Sequence, residues 1–412
     1  MPQPLFPDIG LLAFVPDPWG EYWEARHHVM ARLGRYFHVV WLDPVHEWRS
    51  VPRVLRERRP ARAAALPAGL HLYRPPWWLP QVYRPRRIGE WFAGLRTAQA
   101  AKLLPPESRA HLVAYLWRPH FVSVLRHAPF QLVCYHIDDE YTFSPVERPI
   151  GATERELFAR ADQVFIHSPE LFRKKGGLNP GTTFVPNGVD YERYATPCPE
   201  PDDLAAIPHP RIGYTGYLKN QLDWELLDHL AAERPRWSFV FVGALRAQPG
   251  IAEQVSRLAR RANVHFLGGK PVSSLAAYPQ HFDACIMPYR HDDYTKYIFP
   301  MKLHEYLAGG RPVVASRIPS LVPYTDLLQL AAGPAEWLAG LEAALGPAAN
   351  ASSAREARRA EARTHDWELL AAIIARRIVG RLAPGRADSI AEALRTAGVL
   401  AWGAVMPEEI PR

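Results

Sequence analysis

The feature that most constrains this chain is an alternation that occurs twice. In the first half, short apolar runs recur at residues 9–15, 38–42, 70–73, 111–116, 131–135, 163–167 and 183–185, with helical patterns between most of them. Strand-like runs separated by helix-like segments predict a parallel sheet covered by helices. The segment 195–210, ATPCPEPDDLAAIPHP, is rich in proline and acid and reads as a linker. Beyond it the alternation resumes. Strands are expected at 211–214, 237–242, 263–267, 282–287 and 312–315, and helices at 224–232, 251–261, 273–278 and 301–308. A charged, alanine-rich helix is expected over 351–362 and an apolar-periodic one over 367–382. A chain of 412 residues has room for two domains of about 100–200 residues each. The expected division is a first Rossmann-like domain over 1–194, the linker 195–210, a second over 211–365, and a C-terminal helix and tail over 366–412.

Within the second half, the run Tyr297-Ile298-Phe299-Pro300-Met301-Lys302-Leu303-His304-Glu305-Tyr306-Leu307-Ala308-Gly309-Gly310-Arg311-Pro312-Val313-Val314-Ala315 reads as loop, helix, glycine turn and strand. Pro300 suits the first helical position, where its missing N–H costs nothing. Gly309 and Gly310 supply the helix stop. Lys302 and Glu305, three apart, share one helix face. A helix start carries free N–H groups and partial positive charge, so with Lys302 it suits a diphosphate. Glu305, one turn deeper, suits a pair of sugar hydroxyls.

This run resembles the nucleotide-sugar site of GT-B glycosyltransferases. It looks closest to bacterial exopolysaccharide and teichuronic-acid enzymes related to the retaining group-one glycosyltransferases, which carry a Pro-x-Lys-x-x-Glu-Tyr-Leu-Ala-x-Gly-x-Pro-Val-Val signature. The wider group has a second glutamate eight residues before the matched one; here that position is Tyr297. The resemblance implies two Rossmann-like domains facing across a cleft, with a C-terminal helix crossing back. It covers 187–314 well and the first half loosely. It also implies a nucleotide-diphosphate sugar, expected to be UDP-linked, as co-substrate, with no cofactor and no bound metal.

Other segments fill in the expected donor site. The strand Arg211-Ile212-Gly213-Tyr214 enters the turn Thr215-Gly216-Tyr217-Leu218-Lys219, where a glycine lets backbone N–H groups approach a phosphate. In the resembled family this turn faces the donor diphosphate, with Gly216 at the close approach and Lys219 as a further contact. Gly243 ends the next strand, and Arg246 beyond it is a forked phosphate donor. Lys270 lies in the loop that, in the family, holds the base by main-chain groups. Pro300, Met301, Lys302, Leu303 and Glu305 complete the donor set. Asp223 is the expected cap of the 224–232 helix. The loop 291–296 is placed for sugar selection, and its Asp292 and Asp293 read as solvated acids.

In the first half, the strand Leu132-Val133-Cys134-Tyr135 runs straight into His136, Asp138, Asp139 and Glu140. Polar groups at the carboxyl end of a parallel strand sit where α/β folds bind ligands. If transfer inverts configuration, a base must take the acceptor's proton. Asp139, Asp138 and His136 are the candidates, in that order. Asn187-Gly188-Val189-Asp190 reads as a structural turn. Pro18-Trp19-Gly20-Glu21-Tyr22-Trp23 follows the first strand, where the resembled enzymes place an acceptor-side loop.

Composition narrows the class. Hydrophobic content of 48% and charged content of 22% belong to a folded globular chain. Cys134, Cys198 and Cys285 are scattered, which excludes a C-x-x-C zinc or redox motif and fits a reducing cytosol. No signal peptide or membrane span is expected. The net charge of +7 favours anionic partners. Between His46 and Arg96, arginines at 56–62 and 84–87 interleave with Trp77, Trp78 and Tyr83. Cations beside amphipathic rings suit an anionic membrane surface, so a cytoplasmic protein touching the inner membrane face and using a glycan or lipid-linked acceptor is expected. No nucleic-acid module is recognised. The rival readings are a nucleotide-sugar epimerase or hydrolase on the same fold, and a non-catalytic membrane- or nucleic-acid-binding protein.

Overall fold

The computed structural model describes residues 3–51, 66–142, 146–246 and 248–396. The basic stretch at 56–62 lies outside them. The described chain contains two parallel sheets. The first has strands β1 (Ile9–Phe14), β2 (His38–Leu42), β3 (Leu70–Tyr73), β4 (His111–Leu116), β5 (Leu132–Ile137), β6 (Gln163–Ile166) and β7 (Thr182–Phe184), ordered β3-β2-β1-β4-β5-β6-β7. The second has β8 (Arg211–Thr215), β9 (Ser238–Val242), β10 (Val264–Gly268), β11 (Ala284–Met287), β12 (Val313–Ser316) and β13 (Gln329–Ala331), ordered β10-β9-β8-β11-β12-β13. Every ladder is parallel. Strands buried on both faces need no polar alternation, which is why β1, β9 and β11 read as unbroken apolar runs and are buried throughout.

Each sheet reverses its strand order once, between β1 and β4 in the first and between β8 and β11 in the second. The loops at the carboxyl ends of those strand pairs diverge and leave a crevice, the usual ligand position in open α/β sheets.

The chain groups into two compact units. The first comprises Met1–His167, Leu171–Val185 and Glu368–Arg412; the second comprises Ser168–Glu170 and Pro186–Trp367. Helices used below are α1 (Ala25–Leu33), α2 (Arg86–Ala101), α3 (Trp224–Glu233), α4 (Lys302–Ala308), α5 (Ser352–Thr364) and α6 (Trp367–Leu382). From Glu368 onward α6 belongs to the first unit, so the chain returns there after building the second sheet. Ala371, Ile374, Ala375 and Ile378 are wholly buried, and the Glu368 carboxylate pairs with Arg32 of α1 at 2.8 Å and with Arg35.

Three local expectations change. Residues 195–210 fold onto the second unit: Leu204 and Ile207 join its core, Asp203 pairs with Lys270 at 2.6 Å and Glu200 pairs with Arg211. Their few apolar positions find cover despite the prolines. The helix expected at 273–278 divides into Val272–Leu275 and Ala277–Gln280. Strand β13, only three residues long, extends the second sheet. Asp223 caps α3 as its position suggests, its carboxylate accepting from Leu226 N at 2.9 Å.

Candidate active site

The reversal between β8 and β11 carries the candidate donor site. Gly216, immediately after β8, has φ +123°, a conformation that side-chain-bearing residues rarely adopt. Its N–H donates to Val242 O at 2.9 Å. From there the turns after β8 and β9 run side by side: Leu218 N donates to Ala244 O at 3.0 Å and Arg246 N to Leu218 O at 3.0 Å. Gly243 makes this possible. A Cβ there would fall 1.8 Å from Gly216 O, far inside contact distance. The two glycines expected at the phosphate approach therefore form one unit.

Lys302, at the start of α4, reaches into the same place. A Cβ on Gly216 would lie 3.3 Å from Lys302 Cε and 3.4 Å from Nζ. The Lys302 ammonium donates to Tyr289 Oη at 3.2 Å and sits 5.1 Å from the centroid of the Tyr214 ring. Tyr214 belongs to β8 and Tyr289 follows β11, so the cation stands at the strand reversal, against two aromatic faces that favour positive charge. Burial pushes the Tyr214 phenol up to about 12, with Lys302 opposing.

Glu305, one turn further along α4, is half-buried. Its carboxyl is held above the usual carboxylate range by burial, against the pull of Lys302 and of a hydrogen bond from the Tyr194 hydroxyl. Tyr306 braces the other side: its hydroxyl accepts from Thr215 N at 2.8 Å, tying α4 to the end of β8. The helix begins at Lys302, with Met301 as its cap residue, rather than at Met301. Pro300 O accepts from Leu303 N at 3.2 Å, and Gly310, at φ +70°, provides the stop. Leu303 is wholly buried and serves packing.

The remaining donor candidates divide. Lys219 and Arg246 lie on the paired turns beside Gly216 and Gly243; the Arg246 guanidinium stacks 3.9 Å from the Tyr217 ring centroid. Lys270 is engaged elsewhere, bonded to Asp203 at 2.6 Å beside Tyr278. Sequence reasoning missed the tyrosines at 194, 214, 289 and 306. In buried strands and short helices they read as ordinary packing residues, and no local spacing signals their convergence.

In the first unit the three base candidates separate. Asp138 lies between two guanidiniums. Arg26, from α1, pairs with one carboxylate oxygen; Arg118 donates to the other at 2.6 Å, and so does the Tyr141 hydroxyl at 2.7 Å. Burial works against the anion, but Arg26 and Arg118 hold the carboxyl well below its ordinary range. A carboxylate so stabilised is a poor proton acceptor, which corrects its place among the bases. His136 is also corrected: it is 3% exposed, stacked on Trp117 at 4.1 Å and bonded to Tyr115 Oη at 2.8 Å. Burial pushes its imidazole down to about 3. Asp139 is half-buried, with one oxygen accepting from Glu140 N at 2.8 Å. Glu140 is salt-bridged to Lys174 and Lys175, each at 2.9 Å.

Among the described residues one set of metal-capable groups lies together: His304, Glu361 and His365. The two imidazoles stack 3.8 Å apart at 15°. Imidazole lone pairs lie in the ring plane, so two rings stacked nearly parallel do not both aim at one ion. The Asp292 carboxylate accepts from Thr295 N at 2.8 Å and Tyr294 N at 3.0 Å, which makes it a turn residue.

These two parallel-sheet units define the GT-B fold. HepE of Anabaena, solved with UDP-glucose, superposes with a TM-score of 0.59 at 15% identity, covering 94% of this chain and 100% of its own. A glycosyltransferase from Rickettsia africae gives 0.63 at 11% identity, covering 91% and 99%. Residues 209–342, within the second unit, match the family model described as "Glycosyl transferases group 1". The chain is also 30% identical over 232 residues to TuaH of Bacillus subtilis (strain 168), whose name assigns it provisionally to teichuronic acid biosynthesis as a glycosyltransferase. The match spans 54% of this chain and 57% of TuaH.

Proposed function

We propose that the protein moves a sugar from a nucleotide diphosphate, UDP in the first instance, to a hydroxyl of a glycan or lipid-linked acceptor. The observation that carries this reading is the Lys302 ammonium against the Gly216 turn at the strand reversal, with Glu305 one helical turn away. A fixed cation beside backbone N–H groups stabilises charge that develops on a leaving diphosphate, and being fixed it costs no reorganisation. Glu305 takes the ribose hydroxyls. Lys302 supplies the positive charge a divalent ion would otherwise bring, so the reaction is read as metal-independent and free of cofactor. As the bond from the anomeric carbon to the diphosphate breaks, the acceptor oxygen bonds to that carbon. In an inverting transfer Asp139 takes the acceptor's proton; in a retaining one the leaving oxygens take it.

HepE was solved with UDP-glucose, and TuaH is provisionally named a teichuronic acid biosynthesis glycosyltransferase; the first supports UDP here and the second a glycan acceptor. No helix among the described residues is long and apolar enough to cross a membrane. Contact with an anionic membrane face through the tryptophan- and arginine-bearing surface of the first unit completes the reading. Product analysis with UDP-glucose tests it. Transfer to an added acceptor that survives chelator and is lost in Lys302→Ala is expected. Epimerisation or hydrolysis alone, indifferent to acceptor, would remove the transferase assignment. An Asp139→Asn variant with full transfer activity would assign the proton to the leaving oxygens.

A further inference from the structure

The first unit holds a cavity of about 550 Å³ at the carboxyl ends of β1, β2 and β3, closed by α2 and the short helix Pro119–Arg126. Its size is that of a site for a small organic ligand. Phe14, Val45, Tyr73, Val82, Ala93 and Phe121 supply apolar wall. The polar side chains in the wall are committed to the protein. Asp43 accepts from Trp19 N at 2.8 Å and Trp41 Nε1 at 3.1 Å. Arg96 is spent on Leu79 O, Pro80 O and Gln81 Oε1, at 3.1, 2.9 and 3.1 Å. Thr97 Oγ1 donates to Ala93 O at 2.9 Å, and Glu90 accepts from Arg86 at 2.8 Å. The exceptions are His127, its Nε2 buried without a partner among the described residues, and the exposed His120, whose imidazole makes no hydrogen bond among them. A polar ligand entering here would lose its water and find almost nothing to bond, at a cost of about 1–3 kcal/mol per group. An apolar chain loses nothing.

The surroundings specify what that chain is attached to. Tyr83 is 65% exposed, and Trp77 and Trp78 are exposed on the preceding loop. Arg84 and Arg87 alternate along the chain with the wall residues Tyr83 and Arg86; both are exposed, and neither has an acidic partner among the described residues. Amphipathic rings beside uncompensated guanidiniums suit a boundary where an apolar chain meets an anion.

We infer that this cavity binds the apolar chain of a phosphate-bearing amphiphile, with Arg84 and Arg87 facing the phosphate. The inference rests on the acceptor-side reading of the first unit and names the acceptor class: a hydroxyl-bearing head carried on a lipid phosphate. Binding itself needs no turnover.

Dodecyl phosphate and dodecyl maltoside, each below its micelle concentration, are titrated against the full chain by tryptophan fluorescence. Saturable binding is expected, with dodecyl phosphate favoured by about tenfold. Ala93→Trp on α2, and separately Val45→Trp on the loop after β2, fill the cavity and should abolish binding of both; circular dichroism checks that each variant is folded. Arg84→Gln with Arg87→Gln should erase the preference and leave maltoside binding unchanged. No saturable binding by wild type, or binding undiminished in both folded tryptophan variants, would overturn the proposal. Equal affinity for the two amphiphiles would overturn the phosphate. UDP stabilisation measured on the same samples keeps the two readings apart: amphiphile binding without UDP binding leaves the cavity in place and removes its link to glycosyl transfer.

Discussion

Glu305 shows how a proposed donor-site residue can work against the fold that holds it. Its carboxyl is raised above the ordinary value, chiefly by burial. The folded state therefore holds that proton more tightly than the unfolded chain does. The penalty is absent below the unfolded value and grows as pH rises through the folded one. Glu305→Gln should raise the melting temperature at neutral pH and leave it little changed near pH 4. The same change should weaken UDP binding about ten- to a hundredfold, since hydrogen bonds to a charged group are worth about 1.5–3 kcal/mol. A variant that melts lower at neutral pH would show that the carboxylate stabilises the fold. Asp138 has the opposite sign. Arg26 and Arg118 depress its carboxyl, so its contribution is complete above the unfolded value, near pH 4, and fades as pH falls towards the depressed one. Asp138→Asn should cost about 3–5 kcal/mol at pH 7, because half-buried Arg118 loses its carboxylate partner and buried Arg26 is left with those of Asp17 and Glu24 alone. The deficit should shrink in denaturation curves taken below about pH 3. A deficit constant with pH would point to packing as its cause.

At the scale of elements, legibility followed burial. Strands β2, β3 and β4 were readable to the residue because each is a short run of apolar side chains with a single histidine, as parallel strands with covered faces tend to be. The α4 run was readable because lysine, glutamate and Gly310 each fit one local rule, while Pro300 lies two residues before the helix start and not at its first position. What escaped was assembled from distant segments. Arg26 and Arg118 come from a helix and a loop far from Asp138, so the aspartate looked like a base. The tyrosines around Lys302 and Glu305 were invisible because each has a plain packing explanation on its own strand or helix. The apolar period of 367–382 announced a buried helix, and the structure shows that the first unit provides its cover. Ile374, wholly buried there, is a direct measure of that docking. Ile374→Ala should cost about 2–5 kcal/mol, read as a lower urea midpoint. A cost under about 1 kcal/mol would mean that α6 is dispensable to the first unit.

For the whole molecule, the two units carry different candidate groups. The second places a cation, two glycine turns and a carboxylate at its strand reversal. The first presents Asp139, an arginine-locked aspartate and an apolar cavity. In the second unit, Lys302 and the Gly216 turn are the proposed diphosphate cradle. Thermal melting of wild type and Lys302→Ala with UDP, GDP, dTDP or ADP, all in chelator, tests it most directly. A ligand that binds only the folded state, at a hundred times its dissociation constant, adds about 2.7 kcal/mol. The account predicts a clear upward shift with UDP for wild type, and none for the Lys302→Ala protein, whose own melting temperature stays near that of wild type. No shift with any diphosphate, or an equal shift in the mutant, would contradict it.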